Sequence, residues 1–164
     1  MTLEEGSKAP KFDLESDSGD NASLGDFAGQ WLVLYFYPKD NTPGCTREAQ
    51  AFTEAGARLK KLGAAVVGVS KDSVASHCGF KEKIGIEFPL LSDKDLAVRK
   101  AYGAFGTKTM YGKKVEGVIR STFLIDPAGK IAKTWRGVKV DGHAEKVVDA
   151  LAALSAPEKA KKKN

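Results

Sequence analysis

The sequence predicts a layered α/β sandwich with a mixed central sheet, and three observations carry that expectation. Strand-like and helix-like patterns alternate between residues 12 and 104. One segment, 31–37, is apolar almost throughout, as a strand covered on both faces must be. A hairpin pattern and then a helical one close the chain. The 164 residues suffice for one domain with a substantial core.

Residues 12–16 alternate like a short strand, and Gly19-Asp-Asn21 reads as the turn after it. Residues 31–37 follow as a central strand rich in strand formers, stopped by Pro38. Thr42-Pro-Gly-Cys45 leads into a helix to about Leu62, where Phe52, Ala55, Leu59 and Leu62 recur at helical spacing and Gly63 supplies a stop. Residues 65–70 read as a second core strand, and Ser73 caps a helix to about Gly85. A short strand at 88–92 and a helix over 93–104 come next, then a glycine- and lysine-rich loop or hairpin over 106–118. Residues 121–126 and 130–135 flank Pro127-Ala-Gly129 as a hairpin, and 143–154 form a helix with Val147, Val148, Leu151 and Leu154 on one face. The early strands can run parallel while the hairpin must be antiparallel, so the sheet is mixed. A thioredoxin-like three-layer sandwich fits this order, although the order by itself fits other α/β folds as well.

Composition limits the function classes. No apolar run reaches the roughly 18 residues of a membrane span, and the polar, acidic start is unlike a signal peptide, so a cytoplasmic protein without a membrane partner is expected. Of the net charge of +5, Lys159, Lys161, Lys162 and Lys163 less Glu158 supply +3. The division expected is therefore one domain over 1–155 and a basic, disordered tail over 156–164, with no specific nucleic-acid partner. Two cysteines, Cys45 and Cys78, are too few for a secreted disulfide scaffold, and with only His77 and His143 beside them no structural metal site is expected. The two histidines read as solvated or structural, and Trp135 and the aromatics of 31–37 as core.

The chemistry concentrates in Tyr37-Pro-Lys-Asp-Asn-Thr-Pro-Gly-Cys-Thr-Arg-Glu-Ala49. This stretch leaves the carboxyl end of a core strand, where open α/β sheets place their sites, and enters a helix. Cys45 thus falls in or beside the first helical turn, where unpaired N–H groups and the helix dipole favour an anion. Such placement lowers a cysteine from a pKa of about 8.5 into a range of roughly 3.5–7.5, giving a reactive thiolate at neutral pH. The Thr42 hydroxyl has the reach to donate to that thiolate or to a bound oxygen, or to cap the helix.

Pro38-x-x-x-Thr42-x-x-Cys45 resembles the active-site signature of the peroxiredoxin family, and Thr42-Pro-Gly-Cys-Thr-Arg-Glu-Ala49 is similar to its bacterioferritin comigratory protein (peroxiredoxin Q) branch. Gly6-Ser-Lys-Ala-Pro-Lys-Phe12, Phe88-Pro-Leu-Leu-Ser-Asp93 and Arg120-Ser-Thr-Phe-Leu-Ile-Asp126 extend the likeness over most of the chain. The resemblance implies a thiol-dependent peroxidase that reduces hydrogen peroxide and organic hydroperoxides without a cofactor, is recycled by thioredoxin or another thiol, and is monomeric. It implies that Cys45 attacks the O–O bond and becomes a sulfenic acid. Thr42 would orient the peroxide, Arg120 stabilise thiolate and developing oxyanion, Pro38 shield the site and Glu48 hold an arginine in place.

The resemblance also bears on Cys78. Many members of this branch carry a resolving cysteine five residues after the first, where this chain has Gln50; another subset carries it on the next helix, near Lys81 here. Cys78 lies one turn before that position, so an intramolecular Cys45–Cys78 disulfide is expected. The alternative is a one-cysteine enzyme resolved by an external thiol. Two other readings are open. A dithiol oxidoreductase requires a Cys-x-x-Cys pair that positions 42–48 do not supply, and a non-enzymatic basic binding module rests on the lysine tail alone.

Overall fold

The structure, a computed structural model, describes residues 4–95, 97–110 and 112–163, without the side chains of 107–110, 113–116 and 155–163. In chain order the strands are β1 (Asp13–Ser16), β2 (Asn21–Ser23), β3 (Trp31–Phe36), β4 (Ala64–Ser70), β5 (Leu90–Ser92), β6 (Phe105–Met110), β7 (Lys113–Val118), β8 (Ser121–Ile125) and β9 (Ile131–Arg136). The helices are α1 (Pro43–Lys61), α2 (Val74–Ile84), α3 (Ala97–Ala101) and α4 (His143–Lys163), with a single 3-10 turn at Leu24–Phe27.

Seven strands form the central sheet in the order β2-β1-β5-β4-β3-β8-β9. Its middle is parallel, β3 beside β4 and β4 beside β5, and its flanks are antiparallel. The sheet is therefore mixed, as the sequence predicts. Strand alternation divides β3 between two cores. Val33 and Tyr35 face the layer that holds Phe52, Leu59, Phe80, Val147 and Leu151 from α1, α2 and α4. Leu32, Leu34 and Phe36 face the other layer, with Val98 and Tyr102 at α3 and Phe12 from the N-terminal segment. Each large side chain so buried contributes on the order of 1.5–3 kcal/mol.

Gly68 in β4 is required by close approach. A Cβ there would lie 3.0 Å from the Tyr35 ring and 3.0 Å from Leu90 Cδ2, so only glycine lets Tyr35 lie across the strand beneath α1.

One expectation needs correction. The helix expected over 93–104 shrinks to α3, because the Asp93 carboxylate accepts the N–H groups of Val98 and Arg99 and delays the helix start. β2 and the following 3-10 turn are too short to show a sequence period. The backbone of α4 is helical across residue 155 to Lys163. The segment expected as a loop or hairpin is the antiparallel β6–β7 hairpin. Among the described residues no helix is long and apolar enough to cross a membrane.

Candidate active site

Pro43 occupies the first turn of α1, where its missing N–H costs nothing, and Thr42 precedes it with extended backbone. Cys45 and Glu48 are three residues apart on one helix face, both buried beneath the α1 layer. Arg120 arrives from the other side of the sheet's middle. Because Phe36 pairs with Ser121, the residue before β8 lies level with the chain just after β3.

Arg120 joins these groups. Its Nη2 donates to Cys45 Sγ at 3.3 Å and its Nη1 to Glu48 Oε1 at 2.5 Å. Its forked guanidinium thus serves a carboxylate and a sulfur at once. The cysteine is 1% exposed and the arginine side chain 17%, so the positive charge acts where water screens it weakly. A Cβ on Gly44 would meet Arg120 Nη2 at 3.3 Å, so glycine here leaves room for the guanidinium.

Burial raises the Glu48 carboxyl to about 7, against the lowering pull of Arg120. Glu48 Oε2 and Tyr35 Oη are buried without a hydrogen-bond partner among the described residues. Burial pushes the Tyr35 hydroxyl well up, and the negative charges of Glu48 and Cys45 push it further. Tyr35 is therefore a neutral phenol in the floor of the site.

The Thr42 hydroxyl sits in the turn just before α1. It donates to the Lys39 carbonyl at 2.9 Å and makes no capping bond to the helix, which leaves its oxygen lone pairs to accept from a visiting hydroxyl. Pro38 is half-buried between β3 and this loop.

Sequence reasoning misses a second cluster beside the first. Asp40 accepts from Tyr37 Oη at 2.6 Å and from Ser76 Oγ at 2.8 Å, and lies 2.8 Å from His77 Nδ1. His77 is fully buried rather than solvated. His143 is also buried, 2.8 Å from Thr122 Oγ1, with Phe52 and Trp135 edge-on to its ring. Cys78 is exposed on α2 and donates to the Asp17 carbonyl at 2.9 Å. The structure therefore brings together Cys45, Arg120 and Glu48, and gives the Cys78 thiol a different neighbour. Among the described residues no cluster of histidine, cysteine and carboxylate side chains could hold a metal ion.

Residues 6–134 match the AhpC/TSA family model. A putative peroxiredoxin Bcp of Coxiella burnetii is 50% identical over 92% of this chain and 100% of its own length. The chain belongs to the peroxiredoxin family. A peroxiredoxin Bcp of Bacillus subtilis is 43% identical over 94% of this chain and 99% of its own. Among solved structures, the bacterioferritin comigratory protein of Xanthomonas campestris, studied for alkyl peroxide reduction, superposes with a TM-score of 0.84 at 47% identity, covering 88% and 92% of the two chains. A mutant peroxiredoxin Q of Xylella fastidiosa gives 0.88 at 43%, covering 93% and 98%. These relatives establish the thioredoxin-like fold and the bacterioferritin comigratory protein branch, and with them a thiol peroxidase that takes a peroxide and a thiol reductant.

Proposed function

We propose that Cys45 is the peroxidatic nucleophile, that Arg120, Thr42, Pro38 and Glu48 serve it, and that Cys78 resolves it. The observation that carries the reading is the 3.3 Å contact of Arg120 Nη2 with the buried Cys45 sulfur. A thiolate there is held by a cation that is itself fixed by Glu48.

In the first step a sulfur electron pair attacks the terminal oxygen of the hydroperoxide. The S–O bond forms as the O–O bond breaks; Cys45 is oxidised to a sulfenic acid, and the departing alkoxide takes a proton from solvent. Arg120 faces the oxygen on which charge develops. The Gly44 and Cys45 N–H groups, in the first turn of α1 and without helix acceptors by position, add donors for the same charge. The Thr42 oxygen accepts a hydrogen bond from the peroxide's O–H, which keeps its proton, and so aligns it, and Pro38 keeps bulk water out.

In the second step the Cys78 sulfur attacks the Cys45 sulfur, the S–S bond forms and water leaves. Two thiols of a reductant then exchange through the disulfide, restoring both cysteines and leaving the reductant oxidised. Thioredoxin is the reductant this reading favours, a cytoplasmic monomer its setting, and hydrogen peroxide and alkyl hydroperoxides its substrates, the latter supported by the Xanthomonas campestris relative. The reading includes no nucleic-acid or membrane partner.

One equivalent of peroxide followed by non-reducing peptide mapping tests the resolving step. A Cys45–Cys78 peptide is the expected product, and Cys78→Ser should accumulate sulfenic acid and overoxidise more readily. Full thioredoxin-dependent turnover by Cys78→Ser would make the protein a one-cysteine enzyme instead.

A further inference from the structure

We propose that Asp40 and His77 form a buried clasp between the Cys45 loop and α2, which holds the loop in shape for peroxide and delays the departure of α2 that resolution requires. The second half rests on Cys78 being the resolving cysteine; the first half does not.

The clasp is built from hydrogen-bond chemistry. His77 Nε2 lies 2.9 Å from the Leu91 carbonyl on β5, and His77 Nδ1 lies 2.8 Å from Asp40 Oδ2. Both ring nitrogens therefore face oxygens that accept. The Nε2 proton satisfies Leu91, and a second proton, shared between Nδ1 and Oδ2, makes the other contact attractive. The side chains are 0% and 1% exposed, so water cannot substitute for either partner. Asp40 also accepts from Tyr37 and Ser76, and its own N–H donates to Asp72 Oδ2 at 2.8 Å. Asp72 also accepts from Ser70 at the end of β4. The loop is thus tied to β3, β4 and α2 at one residue. Asn41, the next residue, has φ of +66°, a strained backbone that needs such support.

The same bonds oppose resolution. A disulfide needs its Cα atoms within about 7 Å. α2 lies over β5 and β1, whereas α1 packs on β4 and α4, and the Cys78 thiol is bonded to Asp17 beyond β1. For Cys78 to reach Cys45, α2 must let go. Its other ties are the Ser76–Asp40 and Cys78–Asp17 hydrogen bonds, the Lys81–Asp17 ion pair at 2.9 Å and the apolar packing of buried Phe80. Among these His77 carries the fully buried polar tie, and it joins the residue beside Cys78 to the loop that begins α1. Releasing it removes the buried polar link between the two ends of the future disulfide.

The test is rapid mixing of reduced protein with peroxide, following sulfenic acid formation and then disulfide formation. In His77→Asn the first phase should slow and the second quicken, each by about tenfold, as expected for loss of one buried hydrogen bond to a charged group. Ser76→Ala should shift both phases the same way by less. Asp40→Asn should recover most of what Asp40→Ala loses, because an amide can donate to a neutral imidazole at that position. A role in stability alone would not drive the two phases in opposite directions. If wild type forms the disulfide and no folded clasp variant quickens it, the delaying role is overturned. If wild type forms no Cys45–Cys78 disulfide, the resolving reading fails by itself, and an unchanged first phase in His77→Asn overturns the clasp. Should His77→Asn not fold, Ser76→Ala and Asp40→Ala give the same readings.

Discussion

Arg120 and Glu48 divide the electrostatic work around Cys45, and each can be probed alone. Arg120→Ala removes the only group in hydrogen-bond contact with the sulfur among the described residues, and it should slow reaction with peroxide about 10²–10³-fold with the fold retained. Gly44→Ala should slow it less, because the new methyl displaces the guanidinium end without removing it. Stopped-flow rates beside circular dichroism check both. Glu48 acts on stability in a definite direction. Its carboxyl is near 7 in the folded protein and near 4.5 when exposed. Below pH 4.5 both forms are protonated. Between 4.5 and 7 the unfolded chain ionises first, the folded state binds more protons, and stability falls as pH rises. The Tm of Glu48→Gln relative to wild type should therefore climb across that window, and a gap independent of pH would contradict the assignment.

At the scale of elements, the start of α4 is a second point where burial governs a charge. Burial lowers His143 to about 4, with Lys146 and Arg120 adding to the effect. The ring is then neutral at pH 7 and shares a hydrogen bond with Thr122 on β8. Its contribution is fully present above pH 6.5 and is lost as pH falls toward 4, because the unfolded chain takes up the proton first. Relative to His143→Gln, which keeps a hydrogen-bonding group but does not titrate, wild type should lose Tm as pH falls from 6.5 to 4. Thermal scans at several pH values measure this directly.

Across the whole molecule, what the sequence made legible was what lies close together along the chain. Residues 37–49 run strand, loop and helix without interruption, so Cys45, Thr42 and Pro38 could be placed from position alone. Arg120 and Glu48 needed the family likeness, since 72 residues separate them and no period links them. The Asp40–His77 pair was illegible: 37 residues apart, each is an ordinary polar residue until β3, β4 and α2 are packed. The same holds for Gly68, whose need for smallness depends on Tyr35 in the neighbouring strand. The account's central claim is that peroxide oxygen is delivered to Cys45. The most direct test treats reduced Cys78→Ser with one equivalent of alkyl hydroperoxide, traps sulfenic acid and maps it by mass spectrometry, with Cys45→Ser in parallel. One trapped oxygen on Cys45, with peroxide consumed and no consumption by a folded Cys45→Ser protein, is the predicted result; peroxide consumed at the same rate without Cys45 would contradict it.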